Sequence, residues 1–316
     1  MTDVHPNLRA WLDQLNALVA EQKARGVEAT PAMVRDSLAG LTATFVTRAP
    51  NIADVRDIRV ATGDGDVPAR VYDPSPGESK PVMLFFHGGG HMAGSVAVYD
   101  PIACKLAATS GHLVVSVDYR LAPEAPYPAG LNDCLNVTRQ IWALLSHHDY
   151  GFERRLTLTG DSGGATYAAT VSHMLAREPG LNLKSQILIY PSLDYTMDHP
   201  SITEHGEGYL LEKNRIGWYF DHYFQGEEDR RKASPIHMEV PDGMPATLVI
   251  TAGYCPLHDE GVAYALRLQA AGVSCELRDY PDMIHAFLNL EDLVPEACAD
   301  TYRAIGDFVN RGQSVS

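Results

Sequence analysis

The chain has 316 residues, enough for one large α/β domain with a smaller addition, and its 45% hydrophobic and 21% charged content is ordinary for a folded enzyme. A formal net charge of −15, from 40 acidic against 25 basic residues with no basic run, speaks against nucleic acid and anionic membrane surfaces as partners. Five widely spaced cysteines without a Cys-x-x-Cys pair fit reduced thiols in a cytoplasmic protein, the opening Met-Thr-Asp-Val-His-Pro lacks a signal pattern, and no apolar run reaches the length of a membrane span.

Residues 7–24 set Leu8, Trp11, Leu12, Leu15, Leu18 and Val19 on one face and predict a helix; Thr30-Pro31 opens a second over 30–40. Segments 55–61 and 69–72 flank the turn signal Gly63-Asp64-Gly65-Asp66 and predict an antiparallel pair. The apolar run 81–86 predicts a buried strand, 99–110 a helix, 113–118 another buried strand, 121–128 a proline-rich loop and 129–145 a helix. Further on, 156–160, 185–190 and 247–252 read as strands and 261–271 as a helix stopped by Gly272. An edge-like strand over 274–280 and a closing helix over 297–309 complete the series. Strands alternating with helices predict a mostly parallel sheet with helices on both faces.

Segment 192–240 breaks the alternation. It lacks a clear buried strand, carries Tyr209, Trp218, Tyr219, Phe220, Tyr223 and Phe224, and sits between two core strands, as a helical insertion would. The expected organisation is a catalytic domain of 51–191 and 241–316 beneath a lid of 1–50 and 192–240.

The chemistry centres on Gly160-Asp161-Ser162-Gly163-Gly164. A strand pattern runs into Gly-x-Ser-x-Gly and a small-residue helix pattern follows, so the serine is expected on a sharp elbow with its hydroxyl clear of the backbone. His87-Gly88-Gly89-Gly90 follows the buried strand 81–86. Its bare amides, with that of Gly163, could hold the negative oxygen of a tetrahedral intermediate, each worth about 3 kcal/mol. The same loop could cradle a phosphate, but no Lys-Ser/Thr follows and the G-x-G-x-x-G spacing is not met. His87 and His91 have an i, i+4 zinc spacing, yet a triple-glycine loop cannot be a regular helix, so no metal is expected. His285, past the last strand, suits the base, since strand ends are where sheet enzymes assemble their sites and the order serine, acid, histidine excludes most other histidines.

These motifs, together with Asp118-Tyr119-Arg120-Leu121-Ala122-Pro123-Glu124, Tyr127-Pro128-Ala129 and Asp282-Met283-Ile284-His285, resemble the bacterial hormone-sensitive-lipase-like esterases of the α/β-hydrolase fold, from about residue 55 to 310. The resemblance implies an eight-stranded, mostly parallel sheet with a helical cap, Ser162 as nucleophile, His285 as base, and an oxyanion hole from Gly88, Gly89 and Gly163. It implies hydrolysis of small hydrophobic esters, short- to medium-chain acyl or aryl, without a cofactor. Arg120 and Glu124 are expected to brace loops, and the strand 274–280 could pair two copies across a two-fold axis.

The chain departs from the family at two places. Gly163 stands where alanine is more frequent, which keeps the N–H. Cys255, in Cys255-Pro256-Leu257-His258-Asp259-Glu260-Gly261, stands where the family has its catalytic aspartate. That acid holds the imidazole tautomer and stabilises the imidazolium, and its loss in a serine protease cost about 10⁴ in kcat. Three readings stay open: Cys255 is a natural or introduced crippling change; Asp259 or Glu260 reaches His285 instead, although Asp259 is placed to cap the 261–271 helix; or Cys255 is a weak orienter that improves at alkaline pH, its unperturbed pKa being about 8.5. The preferred expectation is a working but handicapped esterase. The alternative is a non-catalytic small-molecule-binding protein on the same scaffold.

Overall fold

The computed structural model of the protein describes residues 3–63 and 65–311; Asp64 of the expected turn and the outermost residues of the two terminal segments lie outside the described residues. Helices α1 (Pro6–Ala24) and α2 (Pro31–Phe45) come first. Each starts with a proline in its first turn, where a missing N–H costs nothing, and Thr30 caps α2 by accepting from the Met33 amide. α2 runs five residues beyond the expected boundary, carried by Leu41 and Phe45 packing on the core.

β1 (Asp54–Thr62) and β2 (Gly65–Asp73) form the expected antiparallel hairpin. β3 (Lys80–Phe86), α3 (Asp100–Ser110), β4 (Leu113–Val117), α4 (Ala129–His147), β5 (Phe152–Asp161), α5 (Gly163–Leu175) and β6 (Leu183–Ile189) then alternate. After the irregular stretch holding α6 (Ser201–Glu204), α7 (Lys213–Tyr223) and α8 (Arg230–Ala233) come β7 (Ala246–Tyr254), α9 (His258–Ala270), β8 (Cys275–Ile284) and α10 (Pro295–Asn310). The eight strands make one sheet in the order β1-β2-β4-β3-β5-β6-β7-β8, antiparallel at β1–β2–β4 and parallel from β4 onward. Val82 to Phe86 on β3 and Leu113, Val114 and Val115 on β4 are fully buried, as continuous apolar runs inside a helix-covered sheet must be.

Register decides where the chain's chemistry meets. Phe86 pairs with Gly160, so β3 and β5 end level and the residues that follow, His87-Gly88 and Ser162, emerge side by side. Tyr254 pairs with Ile284, so β7 and β8 also end level and deliver Cys255 next to His285. β8 runs on past the expected end at Tyr280. Pro281 would break a central strand, but β8 is an edge strand and the ladder shifts register between Ala252 and Tyr254, where the proline is accommodated. Gly253 makes room for it: a β-carbon there would lie 2.3 Å from the Pro281 carbonyl oxygen.

Candidate active site

Ser162 sits at φ 51°, ψ −122°, a strained conformation for a non-glycine residue. Packing imposes it. A β-carbon on Gly164 would stand 2.0 Å from the Phe86 carbonyl oxygen, and one on Gly160 would stand 2.4 Å from the Gly164 carbonyl carbon, so only glycines let α5 start this close to β3 and β5. The strained bend lifts the serine side chain into an apolar-walled cavity of about 430 Å³. There Ser162 Oγ lies 2.9 Å from His285 Nε2, and His285 is itself buried.

Behind the imidazole stands the thiol. Cys255 Sγ is 3.2 Å from His285 Nδ1 and accepts the Leu257 amide at 3.3 Å. The cysteine is fully enclosed, and burial pushes its thiol far above the ordinary range, so it stays neutral across the pH range of a folded protein. His285, enclosed with no carboxylate beside it among the described residues, is pushed down to about 3 by desolvation. Serine, imidazole and a neutral sulfur therefore form one hydrogen-bonded line.

Neither acidic neighbour reaches the ring. Glu260 is buried inside α9 and accepts the Leu193 amide at 2.6 Å, and burial holds its carboxyl well above the usual range. Asp259 accepts the Ser201 amide at 3.0 Å and pairs with His258. The expected role of Asp259 as a helix cap is not met either: α9 begins at His258, so Asp259 lies inside its first turn.

The amide donors differ from expectation at one position. The Gly88 N–H donates to Asp161 Oδ1 at 2.7 Å and is not available to a substrate. Gly89 and Gly90 line the cavity with Gly163, and their amides have no acceptor among the described residues. Gly163 opens α5, where an N–H has no intrahelical acceptor, and a β-carbon on it would lie 3.3 Å from the Gly90 nitrogen. The cavity-lining amides without an acceptor among the described residues are thus those of Gly89, Gly90 and Gly163. Gly88 departs from the expectation because the residue before the serine claims its N–H, which the sequence does not reveal. Asp161, fully buried, also accepts from Tyr99 Oη at 3.1 Å, and desolvation raises its carboxyl to about 7. It ties the glycine loop to the elbow, a function for which the x of Gly-x-Ser-x-Gly gives no warning.

Arg120 and Glu124 brace loops as expected. Arg120 pairs with buried Asp133 at 2.7 Å, and Glu124 takes Arg35 of α2, whose guanidinium also donates to the Met92 and Ala122 carbonyls. His87 and His91 do not converge. The His87 ring stacks on Tyr119 with centroids 4.4 Å apart, whereas His91 meets Tyr195 Oη at 3.0 Å and is pushed down to about 3 by burial. All five cysteines are unpaired.

A hydroxyl bonded to a buried imidazole, in a cavity also lined by three glycines whose amides lack an acceptor among the described residues, can attack a carbonyl and shelter the oxyanion that results. Known proteins agree in kind. A family profile described as alpha/beta hydrolase fold matches residues 83–289. The ethyl acetate hydrolase of Pseudomonas putida is 31% identical over 93% of this chain and 95% of its own. Carboxylesterase NlhH of Mycobacterium tuberculosis is 32% identical over 96% of this chain and 94% of its own. Among solved structures, a hyperthermophilic esterase from the archaeon Pyrobaculum calidifontis superposes with a TM-score of 0.88 at 31% identity, covering 99% of this chain and all of the other. The chain belongs to the hormone-sensitive-lipase-like esterases of the α/β-hydrolase fold, and it is a serine carboxylesterase by that membership.

Proposed function

We propose that this esterase works through Ser162 as nucleophile and His285 as general base, with Cys255 in the acid's seat and the amides of Gly89, Gly90 and Gly163 as the oxyanion hole. His285 Nε2 takes the hydroxyl proton as Oγ attacks the ester carbonyl. The imidazolium returns that proton to the departing alkoxide, leaving an acyl-serine. Water, deprotonated by the same nitrogen, then releases the acid. Cys255 serves this cycle poorly. A neutral thiol can accept from Nδ1–H, but it can also donate to Nδ1; the proton then sits on Nε2 and the base is blocked. The enzyme is therefore handicapped, not dead.

The observation that carries the reading is the 2.9 Å contact between Ser162 Oγ and His285 Nε2 at the bottom of the cavity. Helices α1 and α2 and the 192–240 segment supply the cavity's outer wall, including Trp11, Leu38, Leu211 and Phe220, which supports their reading as one cap in two pieces. That apolar wall suits compact acyl or aryl esters, as do relatives named ethyl acetate hydrolase and arylesterase. Turnover of p-nitrophenyl butyrate that Ser162→Ala abolishes is the expected result; equal rates in the two proteins would leave a binding protein on an esterase scaffold. Unpaired thiols support a reducing, cytoplasmic setting, and no described helix is long and apolar enough to cross a membrane. The net charge of −15 disfavours nucleic acid. The open edge of β8 supports pairing of two copies, which light scattering would detect.

A further inference from the structure

One cation faces the cavity that ends at Ser162. Arg215 on α7 is the only arginine or lysine among the described residues lining it, within a wall of mostly apolar side chains such as Leu15, Leu38 and Leu211. It is half-buried, and its guanidinium lies 5.2 Å from the centroid of the Trp218 ring. That contact with the ring face is favourable but offers the guanidinium no hydrogen-bond acceptor.

The acids that flank Arg215 along the chain, and the one in the cavity wall, are engaged elsewhere. Glu212, at the start of the same helix, holds Lys23 of α1 at 2.9 Å. Asp221, near its end, holds Arg230 at 2.7 Å. Asp161, the acid in the cavity wall, is bound by the Gly88 amide and Tyr99 Oη. No carboxylate pairs with Arg215 among the described residues. A partly desolvated guanidinium without an acidic partner is unfavourable, and a bidentate carboxylate arriving from the cavity would relieve it.

Its position sets the length of the ligand. Tyr219, one helical turn on, packs on the oxyanion loop: a β-carbon on Gly90 would lie 2.7 Å from its ring. Residues one turn apart have β-carbons about 5–6 Å apart, so the Arg215 side chain springs from the cavity wall about that far from the residue that packs on the oxyanion loop. We propose that Arg215 is a specificity-determining residue that selects esters bearing a free carboxylate several bonds from the scissile carbonyl, such as half-esters of dicarboxylic acids with about six carbons. This rests on Ser162 and His285 carrying the hydrolysis.

The test compares kcat/KM for monoethyl adipate with that for ethyl hexanoate, its neutral counterpart. In Arg215→Gln the anionic-to-neutral ratio falls by roughly tenfold or more, Arg215→Lys recovers part of it, and raising salt lowers the ratio only where the cation is present. A ratio in Arg215→Gln within about twofold of the unmodified protein's overturns the assignment. Calorimetric binding of monoethyl adipate to Ser162→Ala protein gives a readout that needs no turnover. Binding that weakens when Arg215→Gln is added supports the proposal; absent binding, or equal affinities, overturns it. Loss of all turnover dependence on Ser162 would instead strike the catalytic reading, and the two failures are told apart by the binding arm.

Discussion

Replacing Cys255 by aspartate changes one atom group behind His285 and tests the whole catalytic line. The sulfur lies 3.2 Å from Nδ1 and already accepts the Leu257 amide, so an introduced carboxylate finds two donors in place. It would fix the proton on Nδ1 and free Nε2 for the serine in every molecule. It would also face the imidazolium that forms in the transition state. With charge centres about 4 Å apart and an effective dielectric near 20, opposite unit charges attract by about 4 kcal/mol, equivalent to about three decades in rate. The carboxylate is ionised before and after attack, so its own desolvation largely cancels from kcat. Glu260 adds little repulsion, because it is turned to the Leu193 amide and burial, which raises its carboxyl well above the usual range, disfavours its charged form. The expected gain is at least ~10-fold and up to ~10³-fold in kcat for p-nitrophenyl butyrate, with Ser162→Ala as the background and Cys255→Ser, which adds no charge, giving no comparable gain. A folded Cys255→Asp protein no faster than the parent would refute this account of the thiol.

Other consequences are as direct. Because burial holds His285 near 3, the acid limb of kcat/KM lies well below the usual histidine range, and because the Cys255 thiol is pushed far up, no alkaline upturn occurs through pH 10; Cys255→Asp moves the acid limb upward, as a pH–rate profile would record. Asp161→Ala leaves the buried Gly88 amide unpaired, lowering stability by about 1–3 kcal/mol in denaturant melts, and kcat falls by ~10-fold or more as the oxyanion loop loosens. Gly164→Ala, with its β-carbon forced to within 2.0 Å of the Phe86 carbonyl oxygen, costs more than about 4 kcal/mol and yields little folded protein on expression. Arg35→Ala removes donors to the Met92 and Ala122 carbonyls and to Glu124, lowering the melting temperature by several degrees, about what 1–2 kcal/mol produces in a large domain.

Much of this was legible in the residues because local signals and chemistry coincided. Buried parallel strands announce themselves as unbroken apolar runs, and Gly160, Ser162 and Gly164 carry the geometry of the elbow in their spacing. Tertiary register was not legible. That Tyr254 ends level with Ile284 depends on the irregularity where Pro281 meets Gly253, beyond the 274–280 span that the residue pattern predicts. The donor set was misread for a related reason: whether a glycine amide is free depends on which distant side chain claims it, and Asp161 claims Gly88. The fate of the thiol likewise needed enclosure to be known. An exposed cysteine could have offered a thiolate at alkaline pH, and this one cannot.

The base is held by the beginning of the chain. The His5 amide donates to the Asp282 carbonyl, Asn7 to the Leu293 carbonyl, and Thr42 and Thr47 bond Asn289 and Asp292, while Leu8 and Leu12 are wholly enclosed. As the polypeptide leaves the ribosome, α1 and α2 must wait for more than two hundred further residues before these partners exist. The apolar faces of the first helices stay unsatisfied throughout that interval, so nascent chains halted before residue 282 should attract chaperones, and a competent imidazole arises only when the two distant stretches finally clasp.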